Sequence, residues 1–277
     1  MSKGWFITGA SRGFGRIWAQ AALERGDRVV VTARDASSIA DFTSSYPDGA
    51  LAVQLDVTDV AAVGSAVALA RDFLGSIDVV VNNAGFGLFG MVEEVSEAQV
   101  RQQFETNVFG ALWVTQAVLP ILREQRSGHL VQVSSIGGVH AFPGLGIYNA
   151  SKWALEAFSQ SLAAEVSGFG IKVTLVEPTG YATDWAFGSA MRAEGNPAYD
   201  SVREAALAAR AKVVADRGDP EATAAVVLAL VDMPEPPLRL FLGEGPFEMI
   251  QVEYASRLEE WAQYADLSRS AHRLPAE

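Results

Sequence analysis

The sequence predicts an α/β fold: a doubly wound, seven-stranded parallel sheet with helices on both faces, built as a single domain over residues 1–277. Three observations predict it. Short β-branched runs alternate with longer segments of helical period, the pattern of repeated βαβ units. Those runs are mostly apolar and lack a regular polar face, as expected of strands buried on both faces. A glycine-rich turn joins the first strand to the first helix.

Taken in order, Trp5-Phe6-Ile7 is the first strand and is followed by a helix through Ala19 to Ala22. Arg28-Val29-Val30-Val31-Thr32 is the second and, after another helix, Leu51-Ala52-Val53-Gln54-Leu55 is the third. Runs from Ile77 to Val81, His129 to Val133, Ile171 to Val176 and Leu238 to Leu242 complete the sheet. Long helices are predicted at about 97–125 and 148–167. Asp219 and Pro220 supply an N-cap and a helix-first proline for a helix that runs to Val231 and is stopped by Met233-Pro234-Glu235-Pro236-Pro237. Residues 181–217, rich in Ala, Gly and aromatic residues, form the least regular stretch and are read as a substrate lid. From Pro246, the residues Met249, Ile250, Tyr254, Leu258 and Trp261 recur near helical spacing. Residues 246–277 are therefore a helical extension that covers either the substrate pocket or an oligomer interface. No repeat or long linker divides the chain.

Composition narrows the function. With no cysteine and three histidines, neither a disulfide framework nor a thiolate metal site is available, and no metal is expected. A net charge of -12 disfavours nucleic acid, so any ligand phosphate must be met by local arginines. The N-terminal segment turns from apolar residues to Gly9 too soon for a secretory signal, and no apolar run approaches membrane-spanning length. A cytoplasmic protein is expected.

After the first strand comes Thr8-Gly9-Ala10-Ser11-Arg12-Gly13-Phe14-Gly15, with glycines where backbone must turn tightly and approach a pyrophosphate, and a helix N-terminus facing that charge. This is the phosphate loop of a Rossmann-type fold, or else a plain glycine-rich turn. The second strand ends Thr32-Ala33-Arg34, where a carboxylate would select a free ribose 2′-hydroxyl and an arginine a 2′-phosphate. Asp35, one step on, reads as the cap of the next helix. Arg12 and Arg34 converging on one dianion predict NADP(H) over NAD(H), or else they are two solvated surface arginines.

Tyr148-Asn149-Ala150-Ser151-Lys152 places a phenol and an ammonium four residues apart, one turn apart on the same helix face. A tyrosine titrates near pH ~10, and a neighbouring cation favours its phenolate, bringing proton exchange closer to neutrality. Alone, the pattern is common and usually an exposed helical pair. Ser135 stands at the end of the strand Leu130-Val131-Gln132-Val133, where a hydroxyl either caps a turn or polarises a carbonyl oxygen as charge develops on it.

Together with Asn82-Asn83-Ala84-Gly85, Asn107 and the turn at Pro178, these motifs resemble the short-chain dehydrogenase/reductase family, in its order and spacing over residues 4 to about 245. Val29-Val30-Val31-Thr32-Ala33-Arg34-Asp35 looks most similar to the hydroxysteroid dehydrogenase-like and carbonyl reductase members, without naming a substrate. The resemblance implies that Tyr148 gives a proton to a carbonyl oxygen, Ser135 holds that oxygen, and Lys152 lowers the tyrosine pKa and binds the nicotinamide ribose. It also implies that Asn107 holds a water in the proton relay. Asp56 and Val57 would meet the adenine, Asn83, Ala84 and Gly85 the adenosine side, and Pro178 and Thr183 the nicotinamide carboxamide. By itself Asp56 reads equally as a loop or capping residue, and Asn107 as a surface or helix-kinking one. Thr179 departs from the family's glycine after the proline. Family habit implies homodimers or homotetramers.

For the substrate, Phe89, His140, Phe142, Tyr181, Trp185, Phe187 and Met191 lie in loops after strands or in the lid, which suggests a bulky apolar carbonyl or alcohol. Aromatic residues there also pack onto the domain itself, and His140 fits a hydrogen-bonded loop histidine as well as a pocket wall. Two other readings compete with a reductase: a regulator that binds NADPH without turnover, and an enzyme catalysing epimerisation or elimination through transient oxidation.

Overall fold

The computed structural model describes residues 2–181, 188, 190–214 and 218–272, with residues 210–214 by their backbone only. The strands are β1 (Gly4–Ile7), β2 (Arg28–Ala33), β3 (Ala50–Gln54), β4 (Val79–Asn82), β5 (Leu88–Phe89), β6 (Gly128–Val133), β7 (Ile171–Pro178), β8 (Met191–Arg192) and β9 (Arg239–Leu242). Seven of them form one parallel sheet in the order β3-β2-β1-β4-β6-β7-β9. These are the seven runs read from the sequence.

The helices are α1 (Gly13–Glu24), α2 (Ala40–Ser45), α3 (Val60–Leu74), α4 (Glu97–Phe104), α5 (Ala111–Gln125), α6 (Gly146–Val166), α7 (Asp200–Val214), α8 (Thr223–Asp232), α9 (Pro246–Gln263) and α10 (Ala265–Ser270). Successive strand residues point to opposite faces, so Trp5, Ile7, Val29 and Val31 pack beneath α1 and α8. Phe6, Val30, Val80 and Leu130 pack on the other face beneath α3, α5 and α6. Because both faces are buried, the strands are mostly apolar, with a few buried polar residues such as His129, Gln132 and Thr174 among them.

β1 pairs with β2 on one side and β4 on the other, and the strand order reverses at this point. Beyond the C-terminal ends of such strands lies the crevice where doubly wound folds bind ligands. The site is positioned by topology before any loop is considered.

Two regions differ from the sequence reading. The helical stretch at 97–125 is interrupted by a π-helical turn at Glu105–Gly110. The stretch 181–217 is more regular than predicted: among its described residues it holds β8, a 3₁₀ turn at Pro197–Tyr199 and the fifteen-residue α7. Its average composition hid a local start signal, since Asn196 accepts a hydrogen bond from the Ala198 amide at 3.0 Å and Pro197 follows it. β5 and β8 are too short to show any period. They pair with each other and fasten the chain after β4 to the chain leading into α7.

Candidate active site

A cavity of about 1380 Å³ opens at the β1/β4 crevice and runs from the glycine loop to the face of α6. Its nucleotide end is shaped by glycines. Gly9 and Gly13 adopt φ of 69° and 59°, the left-handed region that glycine enters without a steric penalty. A side chain on Gly9 would put Cβ 2.8 Å from the Ala84 Cα. α1 begins at Gly13 with Arg12 in the capping position, no side-chain cap and no acid in its first turn. Its first amides are thus available to an anion, beside the positive end of the helix dipole.

Gly9, Ser11, Arg12, Gly13, Phe14, Arg34, Asp56, Val57, Asn83, Ala84 and Gly85 all line this cavity, as predicted. Gly15 does not. It is buried against Asn83, whose Nδ2 donates to the carbonyls of Thr8 at 3.0 Å and Gly9 at 2.9 Å. A Cβ on Gly15 would lie 2.5 Å from that nitrogen, so its role is close packing of α1 on the loop after β4. Gly15→Ala is therefore expected to cost roughly 1–3 kcal/mol by overpacking, read as a lower Tm together with weaker dinucleotide binding. Unchanged melting would refute the packing role. Thr8, unremarked in the sequence, anchors the same loop, its Oγ1 accepting from the Asn83 and Ala84 amides, both at 3.1 Å.

Arg12 and Arg34 are both exposed on the cavity wall. Asp35 caps the following turn instead, accepting from the Ser37 amide at 2.9 Å, and its hydrogen bonds with Ser37 hold its carboxyl below the usual range. Asp56 serves its own turn, accepting from the Thr58 amide at 3.0 Å, while also lining the cavity. The capping reading of that residue is what its hydrogen bonds show.

At the other end, Ser135, Tyr148 and Lys152 face the same cavity. Ser135 accepts from the Gly137 amide at 3.1 Å and so caps the turn at Ile136–Gly138. A Cβ on Gly137 would meet Asn149 Oδ1 at 2.8 Å, Tyr148 Cε1 at 3.3 Å and Ser135 Oγ at 3.5 Å. The absent side chain is what lets the serine and tyrosine approach each other. Lys152 is buried, its Nζ donating to the Val133 carbonyl at 2.7 Å. Burial lowers its pKa to about 8 against the opposing pull of Glu156.

Asn107 sits in the π turn, buried and off the cavity wall. Its Nδ2 donates to the Phe86 carbonyl at 3.0 Å and to Ser151 Oγ at 3.2 Å, and its Oδ1 accepts from the Phe86 amide at 3.1 Å. Ser151 in turn donates to the Tyr148 carbonyl at 2.7 Å. Asn107 thus braces the catalytic helix against the chain leaving β4, and the surface reading is excluded. The hydroxyl at Ser151, between the tyrosine and the lysine, was the available signal for that link.

Pro178 and Thr179 line the cavity at the end of β7. Thr179 is accommodated by turning its hydroxyl onto the Leu242 carbonyl at 3.1 Å, where Gly243 leaves room that a Cβ 2.2 Å from Thr179 Oγ1 would fill. Thr183, Trp185 and Phe187 lie outside the described residues.

Of the remaining substrate-side residues, Phe89, Phe142, Tyr181 and Met191 line the cavity, with Met91, Leu145, Leu207 and Met249 beside them. Tyr181 packs edge-on against Phe14 at 5.2 Å. His140 does not line it. Its ring packs against Phe142 at 4.6 Å and its Nδ1 lies 3.6 Å from Glu253 of α9, so it faces the C-terminal helix. Around the mini-sheet, buried Glu94 accepts from Arg203 at 2.6 Å and from the Asn196 amide at 2.8 Å, seating α7 over the cavity. α9 contributes Met249 to the wall, while its Phe247, Leu258 and Trp261 stay exposed.

The family model for short chain dehydrogenase matches residues 3–191. The chain is 42% identical to oxidoreductase BOA17 of Botryotinia fuckeliana over 96% of both proteins. A solved short-chain dehydrogenase from Streptomyces avermitilis superposes with a TM-score of 0.89 at 39% identity, covering 98% of each chain. The 3-ketoacyl-(acyl-carrier-protein) reductase of Brucella melitensis, solved with NADH, superposes with a TM-score of 0.75 at 25% identity over 88% of this chain and 98% of that one. With its glycine loop, Ser135, Tyr148 and Lys152 around one cavity, the chain belongs to the short-chain dehydrogenase/reductase family of oxidoreductases.

Proposed function

We propose that the protein reduces a ketone or aldehyde to an alcohol, or runs the reverse, using NADP(H). The observation that carries this reading is that Ser135, Tyr148 and Lys152 share one cavity with the glycine loop. What supports a dinucleotide is the left-handed glycines, the uncapped helix amides and the two exposed arginines on that wall, groups suited to a pyrophosphate and a 2′-phosphate. When bound, the nicotinamide supplies or accepts the hydride.

The side chains do the rest. Ser135 holds the carbonyl oxygen as negative charge develops, and Tyr148 delivers the proton to that oxygen. Lys152 favours the phenolate that remains and, by resemblance, holds the nicotinamide ribose. A pKa lowered to about 8 sets a limit on this arrangement, because the lysine loses its charge as pH rises through that value. Reduction is accordingly expected to fall on the alkaline side of about pH 8, and a rate still rising past pH 10 would overturn the dependence on a Lys152 charge lost near pH 8. The cavity has room for more than the dinucleotide, and the apolar residues Phe89, Met91, Phe142 and Met191 at its other end support a bulky apolar substrate.

The test is consumption of NADPH, and separately NADH, by the purified protein against small and bulky carbonyl compounds. Turnover of bulky ketones with NADPH preferred supports the reading. Tight dinucleotide binding without turnover of any carbonyl overturns it. We further propose that the protein works in the cytoplasm and, from the resemblance, as a homodimer or homotetramer.

A further inference from the structure

Two carboxylates lie buried behind the active site, and the proposed reaction gives neither a part. Glu156 is one helical turn after Lys152 on α6 and 5% exposed; Glu177 is next to Pro178 at the end of β7 and 0% exposed. Arg239 of β9 donates its Nε to Glu156 at 2.9 Å, stands 3.6 Å from Glu177, and donates an Nη to Gln160 at 2.8 Å. One guanidinium cannot neutralise two buried carboxylates. Among the described residues, Glu156 Oε1, both Glu177 oxygens and Ser134 Oγ are buried with no hydrogen-bond partner of ordinary geometry, which is costly unless one of the acids carries a proton.

The pair sits where the catalytic segments converge. A Cβ on Gly138 would lie 2.6 Å from Ser134 Oγ and 3.1 Å from Glu156 Cγ, so the turn carrying Ser135 rests on the Glu156 side chain. α6 brings Tyr148 and Lys152, and β7 brings Pro178. Glu177 and Arg239 also line a separate cavity of about 310 Å³, with Tyr254 of α9 on its wall. Further out on α9, Glu253 lies between His140 and Arg257.

We propose that Glu156 and Glu177 share a single proton and, as one negative charge clamped by Arg239, act as positioning residues that hold the Ser135 turn, α6 and the Pro178 strand end together and keep Lys152 charged. The pKa directions agree. Burial raises both acids, Glu177 to about 8, and Glu156 opposes the loss of charge at Lys152.

The inference rests on the proposed reaction for its kinetic arm and is independent of it for its stability arm. A proton retained in the folded state above the ordinary carboxylate pKa makes stability highest at low pH and drains it as pH rises toward about 8. Melting of the wild type and of Glu177→Gln is measured at a series of pH values from about 5 to 9, and the amide, which cannot ionise, is expected to flatten the decline. In the kinetic arm, Glu156→Gln keeps the shape but moves the charge away from Lys152. It is expected to lower kcat about tenfold with little change in KM, and to draw the alkaline limb of the rate profile down by about one pH unit. An equal pH slope of melting in wild type and Glu177→Gln overturns the shared proton. An unshifted alkaline limb in a folded Glu156→Gln overturns the positioning role. Should the wild type turn over no carbonyl, the reaction fails while the melting series still decides the pair.

Discussion

Tyr148→Phe is expected to lower turnover of any accepted carbonyl by about 10²–10⁴-fold, the usual contribution of a positioned acid-base group, while dinucleotide affinity changes by less than about twofold. The ring is 6% exposed on α6, beside the space left by Gly137. Removing one oxygen keeps that packing, and the glycine loop and arginines that would hold a dinucleotide lie at the other end of the cavity. Affinity by NADPH fluorescence and melting temperature, recorded beside the rate, separate chemistry from folding. A variant that keeps wild-type turnover would remove Tyr148 from the reaction altogether.

Arg34→Ala is expected to weaken NADPH binding by about 10- to 100-fold, as befits the loss of charge-assisted hydrogen bonds worth ~1.5–3 kcal/mol, with NADH altered by less than about twofold. Arg34 is exposed at the end of β2 and supports no buried contact of its own, so truncation should leave the fold intact. Arg12, on the same wall, should show a smaller effect in the same direction. Both losses should shrink at high salt, since exposed charges are screened. Equal weakening of NADPH and NADH would mean that Arg34 does not read the 2′-phosphate.

Much of this was legible in local patterns. The seven strands were readable because burial on both faces makes each one predominantly apolar and β-branched, without a polar face. Arg12, Arg34 and the glycines were readable because a strand, a tight turn and a helix N-terminus follow one another directly in the chain. Tyr148 and Lys152 were readable because helical period alone puts them on one face. Gly15 was placed in the right loop with the wrong duty, since its neighbour is Asn83, far along the chain. His140 was drawn toward the pocket by its closeness to Ser135, yet the ring turned to α9, an element whose docking no local pattern announces. α7 was hidden by averaging over a mixed stretch, and the partnership of β5 with β8 by strands too short to have a period.

By itself, then, the order of apolar runs and helices determined the sheet, and through the reversal of strand order the edge at which a ligand must bind. Periodicity and turn chemistry are properties of neighbours along the chain, and they survive without a structure. Only the tertiary structure decided which side chains meet across the sheet. Asn107 reaches Ser151 from a π turn, Thr179 fits because Gly243 lacks a side chain, and Glu156, Glu177 and Arg239 come together from three separate elements. Such meetings depend on how helices seat against strands distant in sequence, and close packing, not local propensity, selects them.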